Sequence, residues 1–465
     1  MSSSNVAGRR SVGGTTTDQL RRANLSTILE LVHREGPRSR AEITRLTGLN
    51  RSTVGAVVAD LAQLGLVSER MPHLGASPGR PSPVVHAADR IVAIAINPEV
   101  DVIAIGLVGL GGRVLKSVRI ATPVPPLSAD VVHRAASAVA GLLAGMEDSV
   151  TVVGAGIAVP GQVRTADGLV REATHLGWYE EPLSEMFERA IGVPAFAANA
   201  AALAMRAEAV FGVGRDVDDF VYIIGGASGI GGGVVSGGTF LTGSAGHAGE
   251  IGHTFVRSSG TRCSCGSSGC FEAEVTQTAL LDAVGLRADE IAGLGAALAA
   301  AEDDAAREVI AQDTEYLGIA VGNAVNLFNP SVIVLAGFLS ALCEGAGAYM
   351  ESILSAHTIR SARESVGLVP ARFGSEQLLI GAAELVFEAL LYDPAAFERV
   401  TAPRLSAGDG RQPATGDATL ATGDATLATG DATLATGDAT LATGDGGPVS
   451  GADVPSIVGE FNFSA

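Results

Sequence analysis

The sequence has few aromatic residues, few cysteines and no long apolar run. Aromatic residues make up 4% of the 465 residues and apolar residues 47%, so the core must consist mainly of aliphatic side chains. No stretch of about 18 apolar residues occurs, which argues against a transmembrane helix. Residues 1–18 are rich in Ser, Gly and Thr and do not resemble a secretory signal. Four Cys residues are too few for a disulfide scaffold. We therefore expect a cytoplasmic, multi-domain protein.

Charge is distributed unevenly along the chain. The net charge is −19, but residues 1–90 carry twelve Arg against seven Asp or Glu, a balance of +5. The remaining 375 residues therefore carry −24. A basic block in front of an acidic body predicts that the block alone contacts a polyanion, and that the body stays away from membranes.

Composition divides the chain into four parts. We expect a disordered leader over 1–17, a helical domain over 18–85, an α/β body over 91–395 and a low-complexity acidic tail over 405–465. In the tail, Ala-Thr-Gly-Asp-Ala-Thr-Leu recurs every seven residues. A Gly in each repeat argues against a coiled coil, so the tail is predicted to be disordered.

The body opens with a regular alternation of elements. Strands are predicted over 91–96, 102–108, 114–120 and 150–158, with a turn at Asn97-Pro98 and an Ala-rich helix over 131–146. This order, followed by further alternation, predicts a two-lobed α/β architecture.

Three helices are predicted within residues 18–85. The first helix places five side chains on one face: Leu20, Asn24, Ile28, Leu31 and Val32. The second begins with a capping box formed by Ser39 and Glu42, and Asn50 is predicted to cap the third. The third helix has a complete inward stripe: Val54, Val57, Val58 and Leu61.

Two helices around a short Gly turn, followed by a two-stranded wing, form a winged helix-turn-helix, which binds double-stranded DNA in the major groove. We predict that Arg51, Ser52 and Thr53 contact bases or phosphates, and that Arg80 on the wing enters a minor groove. The alternative is a helical protein-interaction module with a solvated Arg face.

A metal site is predicted from one His and three Cys within 18 residues: His253, Cys263, Cys265 and Cys270. Four protein ligands suit tetrahedral, structural Zn²⁺, because they leave no position open for a catalytic water. Three reduced thiols or a redox switch are the alternatives.

The Gly-Glu-Ile-Gly-His sequence ending at His253 and the Cys-x-Cys-Gly-x-x-Gly-Cys-x-Glu sequence ending at Glu272 resemble the ROK family of repressors, open reading frames and sugar kinases. The resemblance extends over about residues 38–393. It implies an actin-like, hexokinase-like fold with a sugar cleft between two lobes, preceded in repressors by a winged helix. It also implies four sugar contacts: Asn199, Glu250, His253 and Glu272. His253 would use one ring nitrogen for zinc and the other for the sugar.

Three departures from the kinase pattern indicate the functional branch. The family's kinases place an Asp general base where this chain has Ala200, and a methyl group accepts no proton. The two phosphate-binding turns are replaced by residues 97–101, which lack Gly, and by Ala227-Ser228.

We therefore expect a sugar-responsive regulator without kinase activity, a repressor that binds operator DNA as a homodimer or higher oligomer. Its effector would be a small sugar or sugar phosphate. The alternatives are an active ATP-dependent sugar kinase fused to a DNA-binding module, and a body that docks a protein partner instead of a sugar.

Overall fold

The computed structural model describes residues 17–71, 82–146, 148–244, 246–346 and 348–397. The predicted tail and the Arg80 contact lie outside the described residues, as does the predicted leader except for Thr17. None of the helices in the described part of the chain has the length and apolarity needed to cross a bilayer.

The described residues form helices and strands in mixed order, as predicted. The α-helices are α1 (Thr17–Glu35), α2 (Arg40–Thr47), α3 (Arg51–Gln63), α4 (Ser128–Leu143), α5 (Leu183–Ile191), α6 (Ala200–Phe211), α7 (Phe271–Glu274), α8 (Gln277–Ala283), α9 (Leu294–Ala299), α10 (Asp304–Phe328), α11 (Phe338–Ala346), α12 (Ala348–His357), α13 (Arg360–Arg363) and α14 (Gln377–Tyr392). The strands are β1 (Arg38–Ser39), β2 (Val67–Arg70), β3 (Val84–Ala87), β4 (Ile91–Pro98), β5 (Val102–Gly109), β6 (Arg113–Ala121), β7 (Thr151–Val159), β8 (Gln162–Arg164), β9 (Leu169–Ala173), β10 (Trp178–Glu181), β11 (Ala195–Asn199), β12 (Phe220–Gly226), β13 (Gly229–Ser236), β14 (Thr239–Phe240), β15 (Val332–Gly337) and β16 (Gly367–Pro370).

The N-terminal helices begin and end at the residues that the sequence indicates. Ser39 caps α2 by accepting a hydrogen bond from the Glu42 amide with its side chain. The Glu42 carboxylate in turn accepts a hydrogen bond from the Ser39 amide, which confirms the capping box. Gly48 ends α2 in the left-handed region at φ 72°. Asn50 then caps α3 through the Thr53 amide. A three-stranded sheet in the order β1-β3-β2 accompanies these helices.

The predicted inward face of α3 is confirmed, and the prediction for α1 is partly wrong. The four predicted α3 side chains are buried. In α1, however, Leu20 is 54% exposed, and Leu25 and Leu29 are buried beside Ile28 and Val32. The face is rotated because α1 packs against α14 of the body as well as against α3.

The body contains two five-stranded mixed sheets, which confirms the two-lobed expectation. The sheet of lobe 1 has the order β11-β7-β4-β5-β6, and the sheet of lobe 2 has the order β14-β13-β12-β15-β16. Strand β4 is buried along all eight residues. It continues through Pro98, so the predicted Asn-Pro turn is wrong. The cause is that Asn97 is buried and donates a hydrogen bond to the Ala158 carbonyl at 3.0 Å, which keeps it in the sheet.

Candidate functional site

A cleft of about 240 Å³ is lined by residues of both lobes. It is bordered by the loop after β7, the N-terminus of α6, the turn between β12 and β13, and the segment that leads to α7. The structure brings together on this cleft the four residues that the family resemblance implies as sugar contacts: Asn199, Glu250, His253 and Glu272.

Asn199 stands where β11 ends and α6 begins, and its amide is held at both ends. Its Oδ1 caps α6 by accepting from the Ala202 amide at 3.0 Å, and its Nδ2 donates to the Gly161 carbonyl at 3.0 Å. The side chain is therefore fixed before any ligand arrives. The next residue, Ala200, is the first residue of α6 and also lines the cleft.

The predicted metal ligands converge on one point. The ligand atoms of His253, Cys263, Cys265 and Cys270 all lie within 4.8 Å of one another. The Nδ1 of His253 is 3.6 Å from the Cys263 sulfur, and the sulfurs of Cys265 and Cys270 are 3.7 Å apart. Tetrahedral Zn²⁺ with Zn–S bonds of about 2.3 Å separates its sulfurs by about 3.8 Å. The donor set and its spacing therefore fit zinc.

The direction of the His253 ring connects the metal cluster with the cleft. Nδ1 faces the Cys263 sulfur, and the same side chain lines the cleft, which leaves Nε2 for a ligand. Glu272 lies between the two sites. Its Oε1 lies 3.3 Å from the Cys263 sulfur and 4.0 Å from His175 Nε2. The nearby Glu272 carboxylate raises the pKa of His175.

Glycine and one carboxylate shape the cysteine loop. Gly269 has φ 77°, and a Cβ there would lie 2.0 Å from the Arg257 carbonyl oxygen, so the close approach requires glycine. Glu274 in α7 accepts from the Thr261 amide and pairs with the Arg257 guanidinium at 3.0 Å. These contacts hold the loop against α7 directly after Cys270.

The two turns in which the sequence departs from the kinase pattern are hydrogen-bonded to each other. Ser228, between β12 and β13, donates to a carboxylate oxygen of Glu99, between β4 and β5. The Val100 amide donates to the Ser228 hydroxyl at 3.3 Å, and Asn97 donates to Glu99 at 3.3 Å. Burial raises the pKa of Glu99. Both turns are recognisable as altered in the sequence, but no local pattern predicts this contact between the lobes.

The predicted DNA contacts that the structure describes lie together at the N-terminal end of α3. Arg51 and Ser52 are exposed in the first turn of α3, and Thr53 is half-buried. The Ser52 hydroxyl donates to Asn50 Oδ1 at 2.7 Å, so capping already occupies its proton. Of these three residues, Arg51 is therefore the exposed one that takes no part in the cap.

A buried polar contact joins α1 to the body. His33 Nε2 lies 3.1 and 3.2 Å from the two carboxylate oxygens of Glu384 in α14. Its Nδ1 accepts from the Gly111 amide, in the turn between β5 and β6, at 3.0 Å. Both side chains are buried, and the imidazole packs edge-on against Phe211 and Phe387. This site was not among the sequence-based predictions, although a His beside the inward Val32 is a usable signal.

Comparison with known proteins agrees with this geometry. The ROK family profile matches residues 93–389. The chain belongs to the ROK family, and the resemblance seen in the sequence is confirmed. The xylose repressor of Bacillus spizizenii is 26% identical over 383 residues, covering 80% of this chain and 97% of that protein.

Solved structures include relatives from both branches of the ROK family. A transcriptional regulator, a homolog of the E. coli MLC protein, aligns with TM-score 0.65 and 26% identity over 80% of this chain and 97% of its own. A glucokinase from Streptomyces griseus, in complex with glucose and AMPPNP, aligns with TM-score 0.53 and 28% identity over 63% of this chain and 98% of its own. The regulator thus matches more of the chain than the kinase does.

Proposed function

We propose that this ROK protein is a sugar-responsive transcriptional regulator, a repressor that binds operator DNA through its winged helix. The observation that carries the proposal is a helix-turn-helix with an exposed α3 attached to a sugar-kinase cleft whose general base is replaced by Ala200. The cytoplasm, where the chromosome is accessible, is the location that fits this function.

The cleft retains the means to hold a sugar and lacks those for phosphoryl transfer. Carboxylates and an imidazole can bind vicinal hydroxyls, and Asn199 is already oriented. Loss of a placed base costs roughly 10²–10⁴-fold in rate. The glycines that would approach a nucleotide phosphate are absent from the turn at Glu99, whose carboxylate bonds to Ser228. We therefore propose that the chain does not phosphorylate sugars.

Zn²⁺ on His253 and the three Cys residues would be structural in this scheme. It would fix the loop that carries His253 and leads into Glu272, so that both side chains face the cleft. The metal has no role in bond making, because four protein ligands complete its coordination.

The DNA-reading helices and the cleft are joined through α14 and α1. His33 bonds to Glu384 in α14 and to Gly111 in lobe 1. At the ends of α1, Arg22 pairs with Asp393 at 2.9 Å and Glu35 pairs with Arg215. If the lobes shift relative to each other, α1 would therefore move with lobe 1 relative to lobe 2. In a homodimer on a palindromic operator, that movement would change the spacing of the two recognition helices.

The decisive experiment measures operator binding by fluorescence anisotropy with and without sugars, using DNA selected from a random pool. A coupling of ~1–3 kcal/mol predicts that the correct sugar changes affinity about 5–150-fold. Glu250→Gln combined with Glu272→Gln should abolish the response and leave sugar-free DNA binding intact. The matched control is Glu185→Gln on the exposed face of α5, which should respond like the wild type.

Two results would overturn the proposal. One is a double variant that keeps its zinc but no longer binds DNA, because the cleft would then be structural. The other is ATP-dependent phosphorylation of a sugar by the wild-type chain above a no-enzyme control, which would favour the kinase alternative.

A further inference from the structure

The charged side chains that line the cleft are mostly acidic. Four carboxylates face it: Glu99, Glu172, Glu250 and Glu272. Two imidazoles, His175 and His253, accompany them. Among the described residues that line the cleft there is no Lys and no Arg. A site for a phosphorylated sugar ordinarily supplies a guanidinium, an ammonium or several free backbone amides to the phosphate.

Two backbone amides near the cleft are already occupied. The Ala202 amide at the start of α6 donates to Asn199, and the Val100 amide donates to Ser228. The positive end of the α6 dipole still faces the cleft, but it amounts to only about half a charge. The Arg119 guanidinium acts on Glu99 from β6, and Asp101 opposes it, yet neither lines the cleft.

We propose, on the basis of the proposed sensor function, that the effector is an unphosphorylated sugar without any acidic group, and that the cleft carboxylates exclude sugar phosphates. Carboxylates accept hydrogen bonds from sugar hydroxyls, so the same groups that bind a neutral sugar repel an anionic one. Glu99 is the principal discriminating residue. It lines the same cleft as Ala200 and stands in the turn between β4 and β5, where the kinase pattern has a phosphate loop.

The test is calorimetric titration of the full, zinc-loaded chain with matched sugar pairs. The neutral probes are D-xylose, D-glucose and N-acetylglucosamine, and the anionic probes are glucose 6-phosphate, N-acetylglucosamine 6-phosphate and glucuronate. Glucuronate adds charge to glucose without phosphate bulk, and 6-O-methylglucose adds bulk without charge. We expect a neutral sugar to bind and its phosphate to bind at least about 100-fold more weakly.

Two variants test whether charge is the cause of the weaker binding of sugar phosphates. Glu99→Gln keeps an amide oxygen as hydrogen-bond acceptor for Ser228 and replaces the carboxylate with a neutral group. The affinity gap, which is the ratio of the dissociation constants of a 6-phosphate and its parent sugar, should therefore narrow at least about 10-fold. Glu185→Gln removes a carboxylate of lobe 1 outside the cleft and should leave the gap unchanged. An unchanged gap in Glu99→Gln overturns the role given to Glu99.

The remaining outcomes separate this inference from the proposed function. If a sugar phosphate or glucuronate binds as tightly as its neutral partner, the inference is wrong while the sensor function stands. If no probe of either class binds and none alters operator affinity, the sensor function fails, and the inference fails with it.

Discussion

Replacing His33 with Ala should strongly destabilise the protein. The substitution deletes the imidazole between Glu384 and the Gly111 amide, both of which then lose their partner. Glu384 is only 4% exposed, so its carboxylate would remain buried without a counterpart. A buried group left without its partner costs ~1–3 kcal/mol, and a charged group more, so with two such groups we expect the free energy of unfolding to fall by ~3–5 kcal/mol.

Urea denaturation followed by circular dichroism measures this loss. The control is His133→Ala on the exposed face of α4, which should change stability by less than about 0.5 kcal/mol. Adding Glu384→Gln to His33→Ala removes the isolated charge, so the double variant should be more stable than the His33→Ala single variant.

This prediction is refuted if the free energy of unfolding of His33→Ala lies within about 1 kcal/mol of the wild-type value, because two unsatisfied buried groups should cost more. It is also refuted if neutralising Glu384 in the His33→Ala background lowers stability further. In that case the carboxylate would have a stabilising partner other than the imidazole.

Replacing Cys265 with Ser should release zinc and lower the melting temperature, whereas Cys343→Ser, outside the cluster, should keep one zinc by elemental analysis; zinc retained in both would contradict the site. Arg51→Ala should weaken operator binding by ~1–3 kcal/mol and relax selectivity at one base pair, and an equal loss in Arg189→Ala on α5 would argue against a specific contact. Burial raises the pKa of Asp313 from 3.8 to about 7, so the folded state binds its proton more tightly than the unfolded state. Stability should therefore fall as pH rises from about 4 to 7, and Asp313→Asn should remove that slope and stabilise the protein at pH 8 by ~1–4 kcal/mol; parallel pH profiles for the two proteins would exclude this.

Features encoded in a few neighbouring residues were predictable from the sequence. The α2 capping box, the Asn50 cap and the α3 stripe all depend on residues within one or two helical turns. The His and Cys cluster could also be recognised, because tetrahedral metal geometry restricts the spacing of its ligands.

Features made by residues far apart in the chain were not predictable in this way. The Glu99–Ser228 bond joins residues 129 positions apart, and the His33–Glu384 pair spans 351 positions. The exposure of Leu20 has the same origin, because the face that α1 buries is decided by α14, which periodicity within α1 cannot reveal. The two altered turns and α1 could be identified from the sequence, but the residues that they contact could not.

The winged helix and lobe 1 share one continuous hydrophobic core. Leu25 and Ile28 of α1, with Val58 of α3, belong to the same cluster as Val386 and Phe387 of α14. The two parts should therefore unfold in a single cooperative transition. A winged helix grafted onto the body of another family member should function only where the recipient's α14 matches the donor's α1. Regulators with new combinations of operator and sugar would then have to arise by coordinated change across this face, because simple exchange of modules leaves apolar surface uncovered.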